Sequence, residues 1–205
     1  MRPRGFPPAV LFSVFVLSGV SALIYQMVWQ RALLTIYGSN VESVAMVVAA
    51  FLMGLGFGGL AGGALSKTRR VPLVLLFAGA ELGVAAYGLV SLELFRAVGE
   101  HTAGGSSVWT GILAFALVFV PTLLMGATLP LLVAHQVREA GHVGRAVSHL
   151  YFVNTLGAAA GAFLAVFVIL GGFGMSGSVR IAAALNALVA VTVLVTWLLA
   201  KGGTQ

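Results

Sequence analysis

The sequence PLVLLFAGAELGVAAYGLVSLELFRAV, residues 72–98, decides the fold class of this chain. A bilayer has a hydrocarbon core about 30 Å thick, and a helix that crosses it needs about 20 mostly apolar residues. The first part of the stretch, residues 72–91, carries a single charged side chain, Glu81. Pro72 suits the first turn of a helix, where a backbone donor is not needed. The stretch therefore predicts a transmembrane helix.

Five further stretches of the same kind occupy most of the 205 residues. The six predicted spans are residues 8–36, 40–65, 72–98, 108–134, 146–170 and 178–200, separated by glycine-rich or charged turns. We therefore expect an all-α integral membrane protein with a single transmembrane domain over residues 1–205. The basic N-terminus followed by an apolar run also resembles a signal peptide. That run continues through Leu33 without a clean cleavage site, so we expect a retained first helix.

The composition limits the function classes. Hydrophobic residues make up 60% of the chain and charged residues 8%, and the mean hydropathy is +1.08. Cysteine is absent, which excludes disulfides, thiolate metal sites and cysteine nucleophiles. The net charge of +6 comes from basic residues near span ends, so we assign it to membrane topology and expect no nucleic-acid partner. We find no catalytic triad, metal cluster or nucleotide loop, and we predict neither an enzyme nor a cofactor or metal.

The distribution of basic residues predicts the orientation in the bilayer. Cytoplasmic loops carry an excess of lysine and arginine. Eight basic residues fall on the side of the N-terminus: Arg2, Arg4, Lys67, Arg69, Arg70, Arg138, Arg145 and Lys201. Three fall on the other side: Arg31, Arg96 and Arg180. We therefore predict that both termini are cytoplasmic, in a bacterial inner membrane, with Trp29 and Trp109 near the outer interface.

Small residues recur at helical spacing in two predicted spans. They are Gly54, Gly58 and Gly62 in the second span, and Gly157 and Gly161 in the fifth. Such faces allow two helices to approach closely. Because the two spans hold the middle position in each group of three, they suggest a 3+3 inverted repeat. The alternative is that glycine simply lines crowded interfaces, as in any helical bundle.

The fourth span contains two prolines within one membrane crossing. Pro121 and Pro130 lie on either side of Gly126, and each removes a backbone donor. The carbonyls of Leu117 and Gly126 are then free for a ligand, a water or a neighbouring hydroxyl. We predict an interrupted helix that lines a site. The alternative is a kink that serves packing and is satisfied by a nearby threonine.

Glu81 is the residue that is hardest to reconcile with a membrane interior. It lies about 13 Å into its helix, close to the bilayer centre, where a carboxylate costs at least about 2.5 kcal/mol. Asn154, Thr128 and Gly126 are predicted to lie at a similar depth. We predict that these four positions form a ligand-binding site for a cation or a proton. The alternative is a protonated Glu81 that is hydrogen-bonded to Asn154 or to a backbone carbonyl and serves packing.

A second polar group gathers toward the outer ends of the first two spans. Tyr25 and Gln26 are added to the ligand-binding set, since Gln26 reaches deeper along the first helix. Arg31 and Glu42 flank the turn at residues 38–39 and are predicted to form an ion pair at the outer mouth. The alternative role for this group is an interfacial anchor.

Several motifs, in this order and spacing, resemble the bacterial membrane-embedded spermidine synthase-like proteins. The motifs are SG 18–19, LIYQMVWQR 23–31, GSN 38–40, AAFLMGLG 49–56, AELG 80–83, PTLLMG 121–126, LPLL 129–132 and LYFVNTLG 150–157. The resemblance runs almost end to end and implies a transporter-like membrane region. Members of that family continue into a Rossmann-like domain similar to polyamine synthases. The present sequence has no glycine-rich nucleotide loop after a strand and no acidic pair for an amine, so aminopropyl transfer is not carried over.

Two hypotheses of function follow. The first is a transport or binding module in which Glu81 and Asn154 hold a small cation or a polyamine. The second is a structural or assembly subunit whose glycine faces dock another membrane protein or a separate soluble synthase-like chain. Either would operate in the lipid bilayer as a homodimer or as part of a larger membrane complex.

Overall fold

The structure, a computed structural model, describes residues 6–37, 41–68 and 70–202, and these ranges contain helices and turns but no strand. The helices are α1 (Pro8–Tyr37), α2 (Val41–Leu65), α3 (Leu73–Thr102), α4 (Ser107–Ala140), α5 (Val143–Leu164) and α6 (Leu170–Gly202). A π-helical turn, Ala165–Ile169, joins α5 to α6 without interrupting the helical path.

Five continuous helical segments are long and apolar enough to cross a membrane. They are Pro8–Thr35, Val44–Leu65, Leu73–Thr102, Val108–Arg138 and Val143–Gly202. The last segment is 60 residues long and combines the predicted fifth and sixth spans. Its backbone leaves helical geometry at Gly174, where φ is 64° and ψ is −176°, a conformation that is essentially restricted to glycine. The protein is therefore an all-helical, multi-pass membrane protein by length and composition.

The prediction of an interrupted fourth helix is wrong. α4 runs from Ser107 to Ala140 with both prolines inside it. The Tyr87 hydroxyl on α3 donates a hydrogen bond to the carbonyl of Leu117, the oxygen that Pro121 leaves without a helical donor. Thr122 donates instead to the carbonyls of Val118 and Phe119. A neighbouring helix thus replaces the missing donor, so the helix continues.

The helices do not pair in chain order. α2 packs mainly along α4, and α5 packs mainly along α1. α3 lies against both α4 and α6, and α6 also contacts α1. The first and second helices have few contacts with each other although they are neighbours in the sequence.

The glycine faces are the surfaces on which these pairs meet. A Cβ atom on Gly58 would lie 2.1 Å from the carbonyl oxygen of Leu123, and one on Gly161 would lie 2.4 Å from that of Val20. The same close approach holds for the other glycines singled out in the sequence, Gly54 and Gly62 against α4 and Gly157 against α1. These faces are therefore occupied within the chain, which leaves the docking hypothesis without the surface it relied on.

Side chains are distributed as expected for a bundle whose outside faces lipid. Large apolar residues such as Leu60 and Phe167 are more than 70% exposed. Several polar side chains are buried, among them Ser18, Glu81, Ser91 and Asn186. The polar groups inside the bundle are thus the place to look for function.

Candidate functional site

Glu81 lies at the meeting point of three helices. Its carboxyl group is 1% exposed on α3. The hydroxyl of Ser18 on α1 donates to Oε1 at 2.6 Å, and the amide of Asn186 on α6 donates to Oε2 at 2.7 Å. Hydrogen bonds to a charged group are worth about 1.5–3 kcal/mol, so these two partners offset part of the cost of burying the carboxyl.

The helix periodicity of each segment turns these side chains toward one another. On α3 the buried face runs through Phe77, Glu81, Val84 and Gly88, at steps of three and four residues. Asn186 lies on a buried face of α6 of the same kind, and both faces are otherwise small or apolar. The carboxyl therefore projects into the interface between α3 and α6, with α1 alongside.

Two polar atoms in this part of the bundle are buried without a hydrogen-bond partner among the described residues. They are the hydroxyl of Tyr25 on α1 and Oδ1 of Asn186. Tyr25 places its hydroxyl against Gly88, seven residues after Glu81 and about 10 Å from that residue along α3. Its ring end occupies space that is open only because residue 88 is glycine, since a Cβ there would lie 2.3 Å from the hydroxyl oxygen. We call Glu81, Ser18, Asn186 and Tyr25 the Glu81 site.

An aromatic column extends from this site along α1 and α3. Tyr25 stacks on Trp29 with ring centroids 4.9 Å apart, and Trp29 meets the edge of Phe95 at 6.3 Å. The indole N–H of Trp29 donates to the Ser91 hydroxyl at 2.9 Å. The Trp29 side chain is fully buried, and Ser91 satisfies its N–H within the bundle. Its depth near the outer interface stays a prediction.

Asn154 has a different partner from the one predicted. The side-chain amide of Asn154 donates to the backbone carbonyl of Phe15 at 3.2 Å, and the backbone carbonyl of Asn154 packs against Gly19. The amide that meets Glu81 belongs to Asn186, because α6 and not α5 lies against α3. Asn154 thus fixes the α1–α5 pair.

The α4 positions also serve packing. Thr128 donates to the carbonyl of Met125 in its own helix at 2.7 Å. Gly126 lets α2 approach, since a Cβ there would lie 2.3 Å from the carbonyl oxygen of Leu55. Gln26 is half-buried on α1.

The predicted ion pair at the outer mouth has one member that can be placed. Arg31 is exposed near the end of α1, and its carbonyl accepts a hydrogen bond from Thr35. The side chain of Glu42 lies outside the described residues, so the pair stays a prediction.

The donor set favours protons or hard cations. Among the described residues no group of three or more histidine, cysteine, aspartate or glutamate side chains is placed to hold a metal ion. The Glu81 site offers one carboxylate and neutral oxygens. Because the orientation of an asparagine amide is assigned from its hydrogen bonds, Asn186 can present Nδ2 to a charged carboxylate or Oδ1 to a protonated one. The pair is thus satisfied in both protonation states of Glu81.

Sequence reasoning missed Ser18 and Asn186. Asn186 carried a usable signal, because it is the one amide in the apolar run 178–200 and lies at nearly the same depth in its span as Glu81 in the third. Ser18 carried none, since a serine in a membrane helix can satisfy itself on its own backbone. The chain matches no protein-family model, no curated protein and no solved structure.

Proposed function

We propose that this protein is a cation transport module of the cytoplasmic membrane, in which Glu81 alternately holds a proton and a small cation. The observation that carries the proposal is a fully buried carboxyl group inside a membrane helix, beside a buried oxygen of Asn186 without a partner among the described residues. Ionisable residues inside membrane bundles are costly and characteristically mark ion pathways. Glu81 supplies the negative charge and Oδ1 of Asn186 supplies a neutral ligand, while the Tyr25 hydroxyl lies about two helical turns further along the bundle.

The α3–α6 pair supports an inverted repeat as the frame for this function. All eight buried positions of α6 correspond to buried positions of α3 at the separation of 105 residues that links Glu81 to Asn186. Under this correspondence Glu81 and Asn186 are equivalent residues that meet between the halves. Transporters built from two inverted halves bind their ions at that interface.

The outer pairs follow the same relation. Gly54 on α2 packs against the carbonyl of Phe119 on α4, and Gly157 on α5 packs against that of Val16 on α1. The step along the chain from Gly54 to Gly157 equals the step from Val16 to Phe119. One operation thus relates α2 on α4 to α5 on α1, which supports halves made of α1–α3 and α4–α6.

Such halves require six membrane crossings, with both termini on the cytoplasmic side. The length of the final helical segment supports this number, because 60 residues of helix at 1.5 Å each would extend about 90 Å, three times the hydrocarbon thickness. Gly174 is the point at which we place the reversal between the fifth and sixth crossings.

A transport assay with Glu81→Gln tests the proposal. Purified protein in liposomes with an imposed pH gradient is assayed for uptake of Na⁺, K⁺, ammonium and spermidine. We expect the wild type to move at least one of these cations and Glu81→Gln to lower that uptake at least tenfold.

Glu93→Gln is the matched control. It removes the same charge from the same helix at an exposed position and should leave uptake unchanged. Gel filtration and thermal unfolding of each variant establish that it is folded. Unchanged uptake by folded Glu81→Gln, or no uptake of any of the four cations by the wild type, would contradict the proposal.

A further inference from the structure

A cavity lies at the end of the bundle where α3 ends and α4 begins. Its volume is about 680 Å³, within the range of small-molecule sites. The apolar part of its lining comes from α1, α3 and α6: Ala32, Leu92, Phe95 and Met175. Met175 follows Gly174 directly, so the irregular backbone of α6 forms part of the wall. We call this space the α3–α4 cavity.

The polar lining of the cavity includes hydroxyl groups that can accept hydrogen bonds from a ligand. Three threonines line it: Thr35, Thr102 and Thr110. Each hydroxyl already donates its proton to a carbonyl four residues earlier in the chain, at 2.7–3.1 Å. A hydroxyl that donates elsewhere offers a ligand only its lone pairs. The threonines therefore present acceptors.

Helix ends of both kinds meet in the same place. α1 ends at Tyr37 and α3 ends at Thr102, whereas α4 begins at Ser107 and the helix of α6 resumes at Met175 after the non-helical Gly174. Carboxyl-terminal ends carry partial negative charge and amino-terminal ends partial positive charge, so the helix ends do not set the preferred charge of a ligand.

The charged rim of the cavity is balanced. Arg96 Nε lies 3.8 Å from a carboxylate oxygen of Glu100, and both side chains are more than half exposed. The pair leaves no net charge, so the threonine acceptors decide which ligand charge is favoured. Removal of Glu100 and removal of Arg96 should then shift the affinity for a charged ligand in opposite directions.

The cavity is separate from the Glu81 site. Phe95, which lines it, is fourteen residues after Glu81 on α3, a distance of about 21 Å along the helix axis. Phe95, Trp29 and Tyr25 close the space between the two with packed rings. Binding in the cavity can therefore be measured without any involvement of Glu81.

We propose that the α3–α4 cavity binds an organic ammonium ion with an apolar body. The apolar body lies against Phe95 and Leu92, and the ammonium group donates to the threonine oxygens and the carboxylate of Glu100. An aromatic ring within about 6 Å of a cation adds a further attraction.

Binding of a matched probe series tests the proposal. Benzylammonium, benzyl alcohol and benzoate have nearly the same shape and differ in charge. With detergent-purified protein, calorimetric titration should show benzylammonium binding about fivefold more tightly than benzyl alcohol, the effect of one exposed charge contact. Benzoate should bind more weakly than either. Thr35→Trp, which fills the cavity from an exposed position, should remove the binding that exceeds partition into empty micelles.

Two charge variants give opposite expected results. Glu100→Gln should weaken benzylammonium binding about fivefold, and Arg96→Gln should strengthen it by a similar factor. Glu93→Gln, on the same helix but outside the lining, should change nothing. Tighter binding of benzoate than of benzylammonium, no binding of the ammonium probe at millimolar concentration, or binding that survives Thr35→Trp would overturn the proposal. Glu81→Gln should bind the probe normally, so this test and the transport test fail independently.

Discussion

At the scale of single residues, the Glu81 site combines a satisfied carboxyl with unsatisfied neighbours. Both carboxyl oxygens have donors, whereas Oδ1 of Asn186 and the Tyr25 hydroxyl have none among the described residues. A buried polar atom without a partner costs about 1–3 kcal/mol. Oδ1 of Asn186 and the Tyr25 hydroxyl therefore remain available to further hydrogen-bond donors.

The coupling between Glu81 and Asn186 can be measured with a double-mutant cycle. Asn186→Leu leaves one oxygen of Glu81 without its donor, and we expect the free energy of unfolding to fall by about 1–3 kcal/mol. Replacing both residues, as Glu81→Leu with Asn186→Leu, should recover much of that loss because no buried charge remains. Unfolding in detergent followed by circular dichroism provides the measurement. Losses that simply add would show that the two side chains do not interact.

The site residue Glu81 follows from the sequence, but its partner does not. A charge in an apolar run must be buried, paired or facing water, so its importance can be read locally. Asn154 and Asn186 both lie in the middle of apolar helices, and the choice between them depends on which helix packs against α3. The packing partner of α3 is set by contacts among all the helices and cannot be read from the residues around either asparagine.

At the scale of helices, α4 shows how a missing donor is replaced by a neighbour. The Tyr87 hydroxyl takes the place of the backbone N–H that Pro121 lacks. We expect Tyr87→Phe to lower the free energy of unfolding by about 1–3 kcal/mol because a half-buried carbonyl inside a membrane helix loses its donor. In a Pro121→Ala background the helix supplies its own donor to Leu117, so the same change should cost clearly less. Equal costs in both backgrounds would contradict this role of Tyr87.

Glycine positions on α2 provide a matched pair for testing close helix packing. A Cβ on Gly58 would meet backbone atoms of α4, whereas one on Gly56 has nothing within 4 Å. We expect Gly58→Ala to destabilise the protein by about 1–3 kcal/mol, as overpacking does, while Gly56→Ala is neutral or stabilises the helix by up to about 1 kcal/mol. Thermal unfolding of both variants decides the matter. A Gly58→Ala protein as stable as the Gly56→Ala protein would be inconsistent with the α2–α4 contact.

The sequence indicates where helices approach closely but not which helices do so. Glycine spacing marks the faces on α2 and α5 correctly as small, and the partners α4 and α1 come from the structure. The interruption predicted in α4 was wrong because proline chemistry is local and its compensation by Tyr87 is not. The backbone departs from helix at Gly174 instead, within a glycine-rich stretch that the sequence marks as a turn.

At the scale of the whole molecule, the orientation can be tested directly because the chain has no native cysteine. Ser106→Cys lies between α3 and α4, and His142→Cys lies between α4 and α5, both at exposed positions. With both termini in the cytoplasm, a membrane-impermeant maleimide should label Ser106→Cys in intact cells. It should label His142→Cys only after the membrane is opened. The reverse pattern would invert the assignment based on positive charge.

The pairing of helices out of chain order has a consequence for biosynthesis. The side-chain amide of Asn154 donates to the carbonyl of Phe15, 139 residues earlier. The main partner of α1 is α5 and that of α2 is α4, so both partners are synthesised later than the helices they cover. While the ribosome is still extending the chain, the first two helices therefore stand in lipid with their small-residue faces uncovered. Nascent chains released after the third helix should be recognised by membrane quality-control proteases, since only the arrival of the fourth and fifth helices covers those faces.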